Sequence, residues 1–402
     1  MDPLHIHNYT VTTCLGAGRE ANGKKLQSRS SGLKPCDFSG AEELNTWIGE
    51  VDGLEQLDFP AHLSEFDCRN NRLAYLAIMQ DGLLESVNNL ADAYGPGRVA
   101  LLMGTSTSGI LQTELAYQLR TADDSLPEWY SYQCTHNAYS LVSFLKSLTR
   151  VGGPAFSIST ACSSSAKVFA SAERLLNLGL ADAVLVGGVD SLCLTTLYGF
   201  NSLQLLSEDP CKPCDTERKG ISIGEAAGFA LITKKNQSRV DSGQSLVVKG
   251  YGESSDAYHM SSPHPEGKGA YLAMAQAIEK ASLRPEAVQY INLHGTGTKA
   301  NDVAEALAVV NLFGGQLMCS STKGWSGHTL GACGITEIVF SMLSMEGGFL
   351  PGTLNLEKID DRIQANILKN NVSFRQDILI DNVLSNSFGF GGSNCSVLLG
   401  RI

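Results

Sequence analysis

Short apolar runs alternate with longer stretches of helical spacing along most of the chain, the pattern of a layered α/β fold. Asn71–Tyr94 carries apolar residues at helical intervals, followed by a short strand over Arg98–Met103. The polar loop Gly104-Thr105-Ser106-Thr107-Ser108-Gly109 comes next. Ala155–Thr160 reads as a strand, Ser163–Leu178 as a helix rich in small residues, and Ala183–Val189 as a return to the sheet. The window Lys234–Gln244 is the most polar stretch of the interior and predicts a boundary, giving an N-terminal half over 1–240 and a C-terminal half over 241–402. Beyond it the strands Ser245–Gly250, Gln289–Leu293, Leu317–Ser320, Asn382–Ser387 and Cys395–Leu399 alternate with the helices Gly269–Ala281, Asn301–Leu312 and Thr329–Glu346. The order of elements suggests two similar βα halves; no short-period repeat or low-complexity tract is present.

Composition narrows the class. With 402 residues, 43% of them hydrophobic and 18% charged, the chain is long enough for two core-forming halves. The formal net charge of −11, with no cluster of Lys and Arg, argues against nucleic-acid binding. An acidic partner must meet a local basic patch, for which Arg69, Arg72 and Lys212 are candidates, as ordinary solvated charges would be. Met1–His7 has neither the basic start nor the apolar stretch of a signal peptide, and runs such as Ala183–Val189 are far too short to span a bilayer. Eleven cysteines without a secretory signal predict reduced thiols and a cytoplasmic protein.

The candidate chemistry starts at Ser157-Ile158-Ser159-Thr160-Ala161-Cys162-Ser163-Ser164-Ser165-Ala166, where a strand ends at a cysteine and a helix begins. A thiol at a helix N-terminus is drawn toward the thiolate, below its ordinary pKa of roughly 8.5. Taken alone, Cys162 reads more readily as a buried structural thiol, the usual fate of such a cysteine. His294 ends the strand in Tyr290-Ile291-Asn292-Leu293-His294-Gly295-Thr296-Gly297-Thr298, where ligand-facing side chains often sit. Thr296 and Thr298 offer hydroxyls to an extended polar ligand. His328 lies in Ser321-Thr322-Lys323-Gly324-Trp325-Ser326-Gly327-His328-Thr329-Leu330-Gly331-Ala332, with Glu337 further along the following helix. Lys323 is placed to hold a carboxylate or to keep a histidine neutral. Either histidine alone suits a structural role; both together with Cys162 match nucleophilic and oxyanion chemistry. The Gly- and Phe-rich loop Asn386–Asn394 is either an aromatic gate or a tight hairpin. Cys211 and Cys214 form a C-x-x-C pair without a second pair to complete a zinc site, and read as incidental thiols. His264 reads as a surface residue, and His259 as either a pocket-entrance or a structural one.

Taken together and in this order, Thr160–Ser164, His294–Thr298, the Lys323…His328…Glu337 run and Asn386–Asn394 resemble the elongating β-ketoacyl-acyl-carrier-protein synthases of the thiolase superfamily. Ser255–His259 also resembles a segment of that family. The resemblance implies a thiolase-like fold with two βα halves layered αβαβα. It implies that Cys162 accepts an acyl chain from acyl carrier protein, that malonyl carrier protein loses CO2, and that the enolate attacks the acyl thioester. His294 and His328 would then assist decarboxylation, with Lys323 and Glu337 supporting them. The N–H groups of Cys162 and Phe390 would form the oxyanion hole. Thr296, Thr298, Phe388 and Phe390 would line the substrate path, with Phe390 as its gate. No metal or redox cofactor is implied, and the expected assembly is a homodimer or a heterodimer with a related subunit. Thr107, in the loop that reaches the acyl pocket in relatives, would favour a more polar chain such as a polyene or polyketide intermediate. Alternatives are a specialised polyketide or aryl-polyene ketosynthase working with a partner subunit, and a non-condensing chain-length subunit; an intact Cys162 argues against the last. One departure is Lys219-Gly220-Ile221, where the family commonly has Asp-Gly-Phe.

Overall fold

The computed structural model describes residues 1–234, 245–374 and 379–402. The expected boundary at Lys234–Gln244 therefore lies outside the described residues, apart from Lys234 itself. The first set of strands is β1 (Leu4–Thr13), β2 (Val99–Gly104), β3 (Ala155–Ile158), β4 (Ala183–Asp190) and β5 (Ala226–Thr233). The second is β6 (Leu246–Ser255), β7 (Tyr290–Asn292), β8 (Met318–Ser320), β9 (Asn382–Gly389) and β10 (Ser393–Arg401). Their spatial orders are β3-β2-β4-β5-β1 and β8-β7-β9-β10-β6. In each set the first strand pairs antiparallel with the last, the last antiparallel with the fourth, and the remaining pairs are parallel. The same topology thus occurs twice, as the order of elements suggests. The two sets join where β1 meets β6, over the pairs Leu4–Val248 and His5–Val247.

Strand periodicity explains the layers. Consecutive residues point to opposite faces, so Leu101 and Leu102 of β2, or Val397 and Leu398 of β10, enter different cores. On the outer face of the first sheet lie α1 (Arg69–Ile78), α2 (Leu83–Tyr94) and α3 (Ser140–Leu148), packing Leu73, Val87 and Phe144 against Leu101 and Phe229. Between the sheets run α4 (Ser164–Asn177) and, in the C-terminal half, a helix over Cys333–Gly347; Val168, Phe169, Ile338 and Phe340 fill the middle core. With α5 (Leu194–Ser202), α6 (Lys268–Lys280) and α7 (Lys299–Phe313) intervening in sequence, the Cys333–Gly347 helix is α8. Helices α6 and α7 cover the outer face of the second sheet through Met274, Ile278 and Val309. The layering is α/β/α/β/α, as the resemblance implies. Residues Cys333–Met342 of α8 are buried on every side, as a central-layer helix requires.

Two parts go beyond the sequence reading. Asn71–Tyr94 is two helices, because Asp81 (φ 55°) and Gly82 (φ 67°) adopt left-handed backbone between α1 and α2. The Asp81 carboxylate accepts from Thr10 Oγ1 (2.7 Å) and the Arg19 amide (2.9 Å), so long-range bonds fix the break. Strand β1 lies at the join between the sheets but is disguised by His5, His7, Asn8 and three threonines, which hide its buried Tyr9 and Val11. No helix among the described residues is long and apolar enough to cross a membrane.

Candidate active site

The two central helices bring the chemistry together. β3 ends at Ile158, and the chain turns through Ala161 in left-handed backbone (φ 52°) to present Cys162 just before α4. Ser164 locks this turn: its hydroxyl accepts from the Thr160 amide (2.9 Å) and donates to the Ala161 carbonyl (2.5 Å). From the start of α8, the Cys333 thiol donates to the Cys162 carbonyl (3.1 Å). The backbone N–H groups of Phe390 and of Cys162 itself are both directed at the sulfur. Those are the two groups predicted for the oxyanion hole.

His328 Nε2 lies 3.1 Å from Cys162 Sγ. Its backbone is stitched to a neighbouring segment: its N–H donates to the Ser222 carbonyl (2.7 Å), and its carbonyl accepts from the Gly224 amide (3.0 Å). His294 stands two residues beyond β7, fixed by Glu305 of α7, whose carboxylate accepts from the amides of His294 and Gly295 (2.8 Å each). The two rings meet edge to face with centroids 5.2 Å apart. One donor atom from each of Cys162, His294 and His328 lies within 4.8 Å of the other two. Lys323 pairs with Glu337, donates to the His294 carbonyl (2.5 Å) and lies 3.4 Å from His294 Nδ1. An ammonium only donates, so Nδ1 accepts and the neutral ring carries its proton on Nε2.

Electrostatics define the resting state. Burial and the Lys323 charge hold both imidazoles well below the usual histidine range, with His328 adding to the effect on His294. Both rings are neutral at pH 7. Burial pushes the Cys162 thiol up to about 11, and Asp190 adds to that; Lys323 and the two amides pull the other way without prevailing. This corrects the expectation of a depressed thiol: the site is desolvated, and that cost outweighs the helix terminus. Sulfur and two imidazoles could in principle ligate a soft cation. Metal-bound imidazoles, however, usually give their second nitrogen to a carboxylate or carbonyl. Here His294 Nδ1 faces an ammonium, an arrangement suited to donating hydrogen bonds to an anion.

Cys162, His294 and His328 open into a cavity of about 530 Å³. Thr296, Thr298, Phe388 and Phe390 line it, as predicted. The Thr296 and Thr298 hydroxyls bond each other (2.9 Å), and Phe390 packs against Phe200 with ring centroids 5.6 Å apart. The Asn386–Asn394 loop is both things proposed for it, a hairpin joining β9 to β10 and a wall of the cavity. Lys219, at the departure from the family pattern, lines the cavity and pairs with Glu208 (3.1 Å) and Asp209 (3.3 Å).

Other expectations are corrected. Thr107 is buried and absent from the cavity wall; its hydroxyl donates to Asp190 (2.9 Å), so it cannot read an acyl chain there. Arg69 is no surface patch: it is buried against Glu225 (2.5 Å), Glu50 (3.0 Å) and Glu55. Arg72 is committed to Asp67 (2.5 Å), and Lys212 is half-buried. His264 is half-buried beside the Tyr258 ring; His259 is exposed and accepts from the amide of Ser261 (3.2 Å), a residue of the cavity wall. Cys211 and Cys214 are buried and unpaired, and Cys211 donates to the Lys323 carbonyl (3.1 Å). Sequence reasoning missed Asp190, Glu305 and Cys333, which pin the site from behind. A Gly187-Gly188-Val189-Asp190 strand end was the available signal for the first.

The duplicated sheet topology, the central helix pair and the Cys-His-His cluster define a thiolase-like fold of the condensing-enzyme class. Comparison with known proteins is in accord. The β-ketoacyl synthase N-terminal domain model matches residues 26–238 and the C-terminal domain model residues 246–357. The chain belongs to the β-ketoacyl synthase family. It is 37% identical over 264 residues to the 3-oxoacyl-[acyl-carrier-protein] synthase 2 of Rhizobium meliloti, a match spanning 63% of this chain and 62% of that protein. The match to the mitochondrial synthase of Arabidopsis thaliana spans 57% of that relative. The chain thus spans less than two thirds of these relatives. The corresponding synthase 2 of Vibrio cholerae aligns over 95% of both chains at 28% identity. Among solved structures, the ketosynthase ApeO in complex with its chain length factor ApeC from Xenorhabdus doucetiae superposes with a TM-score of 0.88. That match is 36% identical and covers 100% of this chain and 98% of that one.

Proposed function

We propose that this protein condenses an acyl thioester with malonyl-acyl carrier protein, releasing CO2 and giving 3-oxoacyl-acyl carrier protein. The observation that carries the reading is the shared cavity of Cys162, His294 and His328, with His328 Nε2 3.1 Å from the thiol. In the first half-reaction Cys162 Sγ attacks the incoming thioester carbonyl while its proton passes to His328 and then to the departing carrier thiolate. The carbonyl oxygen is held by the N–H groups of Cys162 and Phe390. In the second, the malonyl carboxyl leaves as CO2. Its bonding pair moves into an enolate whose oxygen receives a hydrogen bond from Nε2–H of the neutral His294 ring, and from His328 once its single proton has shifted from Nδ1 to Nε2. The enolate carbon forms a bond to the acyl carbonyl, the Cys162 C–S bond breaks, and a proton from water restores the thiol. Lys323 and Glu337 support the His294 ring, and Thr296 and Thr298 guide the carrier's extended arm. No metal or redox cofactor enters these steps. Lys219 and Lys299 at the cavity suit an acidic carrier. Eleven unpaired cysteines fit a reducing, cytoplasmic setting.

A second reading places the protein as a specialised ketosynthase paired with a related subunit, either as a heterodimer or as its own dimer. The full-length likeness to the ApeO–ApeC complex favours it. So does strand β3, which among the described residues ends its sheet with β2 as sole neighbour and carries a half-exposed Phe156. The test of the main reading is a condensation assay with malonyl and acyl carrier proteins. Formation of 3-oxoacyl carrier protein with stoichiometric CO2 supports it; carrier binding with neither product would leave only a scaffold role. Substrate panels run with saturated and polyenoyl carriers separate the two readings.

A further inference from the structure

Asp190 ends β4 with its side chain fully buried, and among the described residues no Lys, Arg or His forms an ion pair with it. Such a carboxylate is costly unless donors surround it. Here they do. The hydroxyls of Thr105 (2.7 Å), Ser106 (2.5 Å) and Thr107 (2.9 Å) all donate to it. So do the amides of Ser106 (2.8 Å), Thr107 (2.9 Å) and Gly331 (2.5 Å). Five of these donors belong to the loop after β2. The sixth, Gly331, stands three residues beyond His328. One carboxylate therefore ties the Thr105–Thr107 loop of the first set of strands to the His328 turn of the second. The knot leaves no slack: a Cβ on Gly331 would lie 2.7 Å from Asp190 Oδ2 and 2.9 Å from the Ser106 amide nitrogen.

We infer that Asp190 is a positioning residue for condensation: its carboxylate holds the His328 turn in register with Cys162 by clamping the Gly331 amide against the Thr105–Thr107 loop. This rests on the reading of Cys162 and His328 as the reacting pair. The same carboxylate also acts on the sulfur through space. The groups facing Cys162 are Lys323, His294, His328, Cys333 and the amides of Cys162 and Phe390; Asp190 pushes the thiol up and Lys323 pulls it down. Position and charge can therefore be separated by two variants. Asp190→Asn removes the charge and sets an NH2 among converging donors. Gly331→Ala spoils the clamp and keeps the charge.

The experiment measures condensation rate, KM for malonyl carrier protein, and the pH profile of Cys162 alkylation by iodoacetamide, in wild type and both variants. Both variants should lose roughly 10- to 100-fold in condensation kcat with KM little changed. The alkylation profile should move to lower pH, by roughly half a unit, in Asp190→Asn alone. A general loss of structure would expose Cys162, speed its alkylation and move the profile down as well, so the profiles are compared in variants whose Tm and circular dichroism match the wild type. Wild-type condensation by Asp190→Asn overturns the proposal, as does an unmoved alkylation profile in that variant. If wild-type Cys162 accepts no acyl group, the functional reading fails instead, and the alkylation profiles still decide whether Asp190 acts on this sulfur.

Discussion

A thiol 3.1 Å from a neutral imidazole, itself pushed up to about 11 by burial, rests as thiol and imidazole and not as an ion pair. Its proton moves only as the acyl carbonyl arrives. Alkylation of Cys162 should therefore keep accelerating with pH to about 11, with no plateau near neutrality; a plateau below pH 8 would contradict the desolvation argument. The two histidines should separate kinetically. His328→Ala should slow both acyl loading and malonyl decarboxylation, whereas His294→Ala should slow decarboxylation by roughly 10²- to 10⁴-fold and loading far less, since His294 makes no hydrogen bond to the sulfur. Quench-flow of the two half-reactions measures this; equal effects on both steps would contradict the division. At this scale the sequence was informative where chemistry sits at strand ends flanked by Gly, Ser and Thr, which exposed Cys162, His294 and His328. It was silent on Asp190, Glu305 and Cys333, whose importance lies in which amides and carbonyls they meet across more than one layer.

At the scale of elements, the site depends on α4 and α8 crossing closely between the sheets. Gly334 permits this: a Cβ there would lie 2.6 Å from the Ala166 backbone nitrogen. Gly334→Ala should cost about 1–3 kcal/mol through overpacking and displace the start of α8, where Cys333 holds the Cys162 carbonyl. Thermal unfolding should show a lowered Tm, with acyl loading reduced in the protein that remains folded; wild-type stability and loading would contradict the close-crossing account. The largely apolar α8 and the strand pattern of β4 were legible because buried central elements read as mostly apolar runs. β1 was not legible, because polar side chains such as Thr10 and Thr13 meet Asp81 and Asn22 in place of solvent. The helical spacing of Asn71–Tyr94 gave no sign of the break at Asp81 and Gly82 for the same reason, since that break is fixed by partners distant in sequence.

For the whole molecule, burying two neutral imidazoles couples the site to stability. The unfolded chain protonates His294 and His328 near pH 6.5, and the folded chain only well below it. The unfolded state binds more protons below pH 6.5, so this contribution is present above that pH and is lost as pH falls, by at most about 1.4 kcal/mol per ring per unit. Glu305, lifted by burial to about 7, works in the opposite sense, so the difference between proteins is the clean readout. Denaturant titrations should show a His294→Gln/His328→Gln double variant gaining on wild type as pH drops from 7 to 5; parallel pH dependence would contradict the burial of neutral rings. Assembly belongs to this scale too. If β3 is an interface edge, Phe156→Arg should convert a dimer to a monomer in analytical ultracentrifugation, whereas an unchanged sedimentation coefficient would exclude that edge. The central claim is that three separated segments converge to make Cys162 an acyl acceptor, and intact-protein mass spectrometry after incubation with acyl carrier proteins tests it most directly. A single acyl adduct that maps to Cys162 and disappears in Cys162→Ala is the predicted result; an unmodified wild-type chain, or an adduct that persists in the variant, would contradict it.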